Sequence, residues 1–152
     1  MTPPKTATGG SKADFGGFVA PMVMPGTYTV KLKVADKEYT SQLTMIHDAS
    51  NKNFSEADRE LQYKTAMSLY HMHEQLYQLV EKINIDEKMI KDTLATVKNP
   101  QTKKLLTEYN TKLETLRATL LATKHKSIFA DEKKLREEIT EVYGAVCGQE
   151  CK

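Results

Sequence analysis

The side chains best suited to metal binding in this 152-residue chain are its four histidines and two cysteines. Their one local cluster is a His-Met-His-Glu run that begins at His71. On a helix, residues two apart point roughly 200° apart, so His71 and His73 are unable to share an ion as an i, i+4 pair does. Cys147 and Cys151 lack the partner pair that a zinc site needs, and whether they form a disulfide stays open. The spacing therefore predicts no metal site and no cofactor.

Nucleophilic catalysis has no support in the sequence either. No serine stands in a G-x-S-x-G motif, and neither cysteine has a histidine nearby in the chain. The glycine pairs at residues 9–10 and 16–17 lack the strand-to-helix context of a phosphate loop. Sugar hydrolysis needs two carboxylates positioned in one cleft, whereas the acidic residues here are spread along predicted helices. We therefore predict no catalytic residues and a protein that is not an enzyme.

The charges of the chain are balanced, with 22 Lys and Arg residues against 20 Asp and Glu residues. Residues 53–152 hold 16 of each sign. Neutralising nucleic-acid phosphates or lying on an anionic membrane needs clustered lysine and arginine, so we expect no nucleic-acid partner. We also expect no membrane insertion, because no apolar run approaches the about 20 residues that a membrane helix needs.

Glycine and proline divide the chain into an N-terminal part and a long remainder. Five of the seven glycines and four of the five prolines lie in residues 1–26. Residues 1–17 mix Thr, Gly, Ser, Lys and Pro with few apolar side chains, which predicts a disordered arm or linker.

An alternating pattern of apolar and polar residues follows this arm. Tyr28, Val30 and Leu32 share one face of a first strand, and a second alternating run follows a short polar break. The pattern predicts an antiparallel β-hairpin unit over residues 18–48. A lone two-stranded ribbon is at best marginal in water, so we expect these three apolar residues to be structural. The expected cover is residues 18–23 or the start of the first helix.

Helix signals fill the rest of the chain, residues 54–148. Ser55 with an acid three residues later indicates a helix start, and an apolar seam that includes Leu76 continues without glycine or proline to Asn99. This predicts one long first helix, from about residue 55 to about residue 98. Asn99 followed by proline indicates a second helix, with Leu113 and Leu116 on its apolar stripe.

A third, shorter helix is predicted after Asp131, and Ile139 lies on its apolar stripe. Short connections make the three helices antiparallel neighbours. The predicted fold class is therefore α+β and mainly α, an antiparallel three-helix bundle preceded by a β-hairpin, with Leu76, Leu113, Leu116 and Ile139 in its core.

The run VAPMVMPGTYTVKLKVADKEYTSQLTM, from Val19 to Met45, resembles a hairpin of large bacterial proteins with sortilin-like propeller repeats. These proteins are often labelled BNR or Asp-box glycosyl hydrolases. SEADRELQ, from Ser55, and LREEITEVYGAV, from Leu135, resemble the helical segment that follows in that family. The resemblance covers residues 19–148. Two features depart from the family: its acid-Pro-Arg is replaced by HDAS after the second strand, and no propeller repeat is present in this sequence.

The resemblance implies that the hairpin is the last strand pair of an Ig-like sandwich. It implies a non-catalytic accessory domain, the C-terminal piece of a larger secreted or surface protein. The partner would be the upstream propeller or Ig-like domain of the same polypeptide, and the location extracellular, cell-surface or periplasmic. A cytoplasmic location stays open. The alternatives are a free-standing helical adaptor that binds a partner protein or, least favoured, part of a glycoside hydrolase.

Overall fold

The structure, a computed structural model, describes residues 2–7, 19–47, 54–122 and 132–148. These form strands β1 (Gly26–Val34) and β2 (Lys37–Met45) and helices α1 (Glu56–Thr96), α2 (Pro100–Leu120) and α3 (Leu135–Cys147). The predicted fold class is confirmed: an antiparallel β-hairpin precedes a mainly helical bundle. Within the described ranges, none of the helices is both long and apolar enough to cross a membrane.

Helix α1 is continuous over 41 residues, about 61 Å at 1.5 Å per residue. The predicted cap is present. The Ser55 hydroxyl accepts from the Asp58 N–H at 3.2 Å, and the Asp58 carboxylate accepts from the Ser55 N–H at 2.9 Å. Hydrogen bonds from the Ser55 hydroxyl and then from its N–H lower the pKa of Asp58 below its usual value. The capping box therefore satisfies the N–H groups of Ser55 and Asp58 at the start of α1.

The two shorter helices begin at polar caps. The Asn99 side chain accepts from two backbone N–H groups of α2 at 2.9 and 3.2 Å, and Pro100 occupies the first helical position, as the sequence predicted. Helix α3 starts after Lys134, whose N–H donates to Glu137 at 3.2 Å. Asp131, the predicted cap of α3, lies outside the described residues.

Helices α2 and α3 pack antiparallel along different halves of α1. Arg117 of α2 pairs with Glu87 in the second half of α1, and Tyr143 of α3 packs on His73 in the first half. Helices α2 and α3 have little contact with each other. Within the described ranges, the bundle is therefore two helices thick along most of its length.

One apolar core joins the three helices, and it contains Leu76, Val80, Ile83, Ile90, Leu113, Leu120, Leu121 and Ile139. Three of the four leucine and isoleucine residues predicted for the core are thus buried. Leu116 is not: it is 41% exposed, so its placement in the core was wrong. The step from Leu113 to Leu116 is about 60° short of a full turn, which moves Leu116 to the flank of the seam.

The difference in burial between Leu113 and Leu116 predicts that truncating each to alanine lowers the stability of the protein by a different amount. Leu113→Ala is expected to lower the free energy of unfolding by about 2 to 4 kcal/mol, because it leaves a cavity in the core. Leu116→Ala is expected to cost the single chain about 1 kcal/mol or less, since water already reaches its side chain there. Urea unfolding of both variants measures the two losses. Equal losses would contradict the rotation of α2 described above.

The N-terminal segment differs from the prediction of a disordered arm. Residues 2–7 lie on the bundle, and Ala7 is buried in the core. The Arg136 guanidinium donates to the Ala7 carbonyl at 3.3 Å, and the Lys5 ammonium lies 5.6 Å from the centre of the Tyr77 ring. The prediction was wrong for these six residues because side chains of α1 and α3, rather than the segment's own apolar content, hold them in place.

Candidate functional site

The hairpin sorts its side chains by polarity onto two faces. Antiparallel pairing sets Tyr28 opposite Leu43 and Leu32 opposite Tyr39. We call this the apolar face: its large apolar side chains are Tyr28, Val30, Leu32, Val34, Tyr39, Leu43 and Met45, and the register also places Lys37 and Ser41 on it. The other face, the polar face, consists of Thr27, Thr29, Lys31, Lys33, Glu38, Thr40, Gln42 and Thr44. Removing the apolar face from water lowers the free energy of the protein, whereas removing the polar face does not.

The described part of the chain leaves the apolar face open. Its seven large apolar side chains are 36% to 59% exposed, and no Cα of either strand lies within 8 Å of a helix Cα. The expected cover was therefore wrong for the described residues, and Tyr28, Val30 and Leu32 lie outside the core. The stretch of residues 19–23 instead begins with a contact to α3: the Tyr143 hydroxyl donates to the Val19 carbonyl at 2.6 Å.

Backbone geometry fixes the shape of the hairpin at both ends. Gly26 begins β1 with a φ of 156°, which residues with a side chain rarely adopt. The Tyr28 hydroxyl donates to the Met24 carbonyl beside it. At the far end a two-residue turn starts at Ala35, whose φ of 50° lies in the left-handed region. These local constraints favour the hairpin conformation that presents the apolar face.

A cavity of about 430 Å³ separates the base of the hairpin from the helices. Residues 20–25 and 45–47 form one wall, and side chains from the start of α1 and the end of α3 form the other. Met22, Met24 and Met45 are among the residues that line it. Its mainly apolar lining favours an apolar side chain over a charged substrate.

The two histidines of the sequence cluster lie in different surroundings, as their spacing predicted. His73 is buried with its ring 5.5 Å from that of Tyr143, and His71 is exposed, 3.8 Å from Glu74. Burial raises the pKa of Tyr143 well above its usual value, so the hydroxyl stays protonated as a donor. Across residues 2–7, 19–47, 54–122 and 132–148, no three His, Cys, Asp or Glu side chains come together as metal ligands would.

Cys147 ends α3 and is half-buried near Tyr143. Cys151 lies outside the described residues, so the pairing of the two cysteines stays open. Asn53, the acceptor of a glycosylation-type sequence, also lies outside them, whereas Ser55 of the same motif serves as the helix cap.

Two ion pairs were missed by the sequence reasoning, the first with a buried carboxylate and a half-buried guanidinium, the second buried on both sides. The Glu87 carboxylate lies 2.8 Å from the Arg117 guanidinium, which also donates to Asn84. At the start of α3, Arg136 pairs with Glu137 at 2.6 Å. The signal for the first pair was an acid on the α1 seam together with an arginine between the core leucines of α2. The apolar pattern also placed Leu135 and Val142 on the buried stripe of α3 with Ile139, which was wrong: both are exposed, and Arg136 and Glu137 are buried instead.

Comparison with protein families, curated proteins and solved structures returned no match. The resemblance to the propeller-repeat family therefore rests on the quoted hairpin and helix motifs alone.

Proposed function

We propose that this chain is a non-catalytic accessory domain that docks on another domain through the apolar face of its hairpin. The observation that carries the proposal is a surface about 30 Å long, with seven large apolar side chains in water, on a ribbon whose other face is polar. Burying apolar surface stabilises a complex by about 25 cal/mol for each Å² removed from water. Because an isolated two-stranded ribbon is marginal, docking also stabilises the hairpin itself.

The proposed partner is the upstream propeller or Ig-like domain of the same polypeptide. A β-sandwich buries one face of each sheet and leaves the other in water, and the two unlike faces of the hairpin suit that arrangement. The resemblance of residues 19–148 to the C-terminal part of propeller-repeat proteins supports the same partner. The parent would be a secreted or surface bacterial protein, located outside the cytoplasm.

A binding role fits the chemistry of this surface better than hydrolysis does. The apolar face holds mainly aliphatic, aromatic and thioether groups, which bind by desolvation, and it carries no carboxylate or imidazole. A glycosyl hydrolase label, where it applies, would belong to the parent's propeller.

A free-standing helical adaptor is the second candidate. Exposed apolar side chains on the helices, including Leu105 and Tyr109, favour it because they offer a protein partner a contact surface away from the hairpin.

The docking proposal is tested with the polypeptide encoded directly upstream of the Met1 codon, titrated against this chain. We expect binding that Leu32→Lys weakens at least about tenfold, because a charge enters the buried apolar contact. Thr29→Lys, the control on the polar face, is expected to change the dissociation constant less than about twofold. Calorimetry measures both.

Three results would overturn the proposal: no binding between the two polypeptides, equal effects of Leu32→Lys and Thr29→Lys, or an upstream sequence that encodes no folded domain. Binding that survives Leu32→Lys but is lost on mutation of the helices would favour the adaptor instead.

A further inference from the structure

The helical bundle has two unlike sides, one on each flank of the seam between α1 and its partner helices. At about 100° per residue, Arg117 of α2 and Asn84 of α1 lie on the same flank, where they are hydrogen-bonded. Tyr77 and Tyr143 lie on that flank too. We call it the covered side, because the N-terminal residues Lys5 and Val19 contact these two tyrosines.

The opposite flank, the open side, carries a stripe of large apolar side chains. The stripe consists of Leu61, Met72 and Leu79 on α1, Leu105, Tyr109 and Leu116 on α2, and Leu135 and Val142 on α3. All eight are 41% to 65% exposed. Spacings of four, seven and eleven residues place the members of each helix on one line, and antiparallel packing brings the three lines to the same side.

The open side lacks what stabilises the covered side. Among the described residues, the N-terminal segment and the buried Glu87–Arg117 pair both lie on the covered flank. A bundle that is two helices thick buries one line of side chains on each helix and leaves the side chains on either flank exposed to solvent. A flank that exposes this many large apolar side chains is typical of an interaction site.

We propose that a second copy of this chain covers the open side, giving a two-fold symmetric dimer whose helices pack stripe against stripe. Eight side chains of this size at these exposures offer on the order of 700 Å², close to the about 800 Å² that each partner contributes to a standard interface. A two-fold axis sets one patch against itself, so an apolar stripe is complementary to its own copy.

The charge of the helical part agrees with self-association. Residues 53–152 carry 16 acidic and 16 basic residues, so two copies meet without net repulsion. The two residues at the middle of the stripe, Leu79 and Leu116, are uncharged and lie one on each of two neighbouring helices. The hairpin takes no part in this contact, so the dimer and the docking proposed above are independent.

Sedimentation equilibrium and light scattering of the full chain over a range of concentrations test the proposal. We expect a dimer whose dissociation constant rises at least about 100-fold in the double variant Leu79→Glu and Leu116→Glu, since charges enter the apolar contact. Ile85→Glu is the matched control: Ile85 is 58% exposed but lies on the outer face of α1, away from the stripe. It is expected to leave the dimer intact.

A monomer at every concentration would overturn the proposal, as would a dimer that Leu32→Glu on the hairpin abolishes and the double variant does not. Circular dichroism establishes that each variant folds. Should the double variant not fold, Tyr109→Ser decides the matter, because Tyr109 lies on the stripe and outside the core. A dimer that Tyr109→Ser leaves at full strength would also overturn it.

Discussion

Replacing Tyr143 by alanine is expected to lower the free energy of unfolding by about 3 to 5 kcal/mol. The Tyr143 side chain is 2% exposed, packs edge to face on His73 and donates to the Val19 carbonyl. One residue thus joins α3, α1 and the stretch that begins at Val19 and leads into β1, and its truncation opens a cavity between all three. Urea unfolding followed by far-ultraviolet circular dichroism measures the loss.

Two further variants separate packing from hydrogen bonding. Tyr143→Phe keeps the ring and is expected to cost about 1 to 2 kcal/mol, the value of a partly buried hydrogen bond. Tyr39→Ala, on the exposed apolar face of the hairpin, is expected to leave the helical transition unchanged. The interpretation fails if Tyr39→Ala destabilises the helices as much as Tyr143→Ala does.

Replacing Arg117 by leucine is expected to lower the free energy of unfolding by about 2 to 4 kcal/mol, because it leaves the Glu87 carboxylate without its ion-pair partner between two helices. Glu87 is 7% exposed and its carboxylate lies 2.8 Å from the guanidinium. The loss should exceed that of any single surface ion pair. Chemical denaturation at constant salt and protein concentration measures it.

The double variant Glu87→Leu with Arg117→Leu is the informative comparison. It removes both charges and is expected to recover most of the lost stability, because no buried charge remains unpaired. Glu108→Ala, which removes an exposed pair with Lys104 at 4.0 Å, is expected to change stability by less than about 0.5 kcal/mol. A double variant as unstable as the sum of the singles would show that the two residues are not coupled.

Elements whose signals are local were predictable from the sequence. The capping box at Ser55 and the Asn99-Pro100 start of α2 depend on residues within one helical turn, so tertiary packing does not alter them. The two faces of the hairpin likewise follow from a period of two residues.

Features that depend on distant residues were not predictable in this way. The N-terminal segment is held by Arg136, 129 residues away from Ala7 along the chain. The buried face of α3 was predicted wrongly because hydropathy predicts that charged residues such as Arg136 and Glu137 are exposed to solvent. In the structure these two residues instead satisfy backbone groups of Ala7 and Ala122.

In the candidate site too, the local pattern was predictable from the sequence and the tertiary packing was not. Alternation identified the apolar residues of the hairpin, but a periodic pattern indicates only that a face is suited to burial, not what buries it. The expectation of internal cover assumed that the link to α1 folds the hairpin back onto the helices. The hairpin instead projects from its base, with Tyr28 and Leu32 in water.

Amide hydrogen exchange tests the central claim, that the hairpin presents its apolar face for docking, most directly. Residues 27–34 and 37–45 are followed in this chain alone and in the chain joined to its encoded upstream segment. We expect the hairpin amides of the chain alone to exchange far faster than those of α1 near Val80, and to slow about 100-fold in the joined protein. Hairpin amides that are as protected as α1 in the chain alone, or that the upstream segment leaves unchanged, would contradict the account.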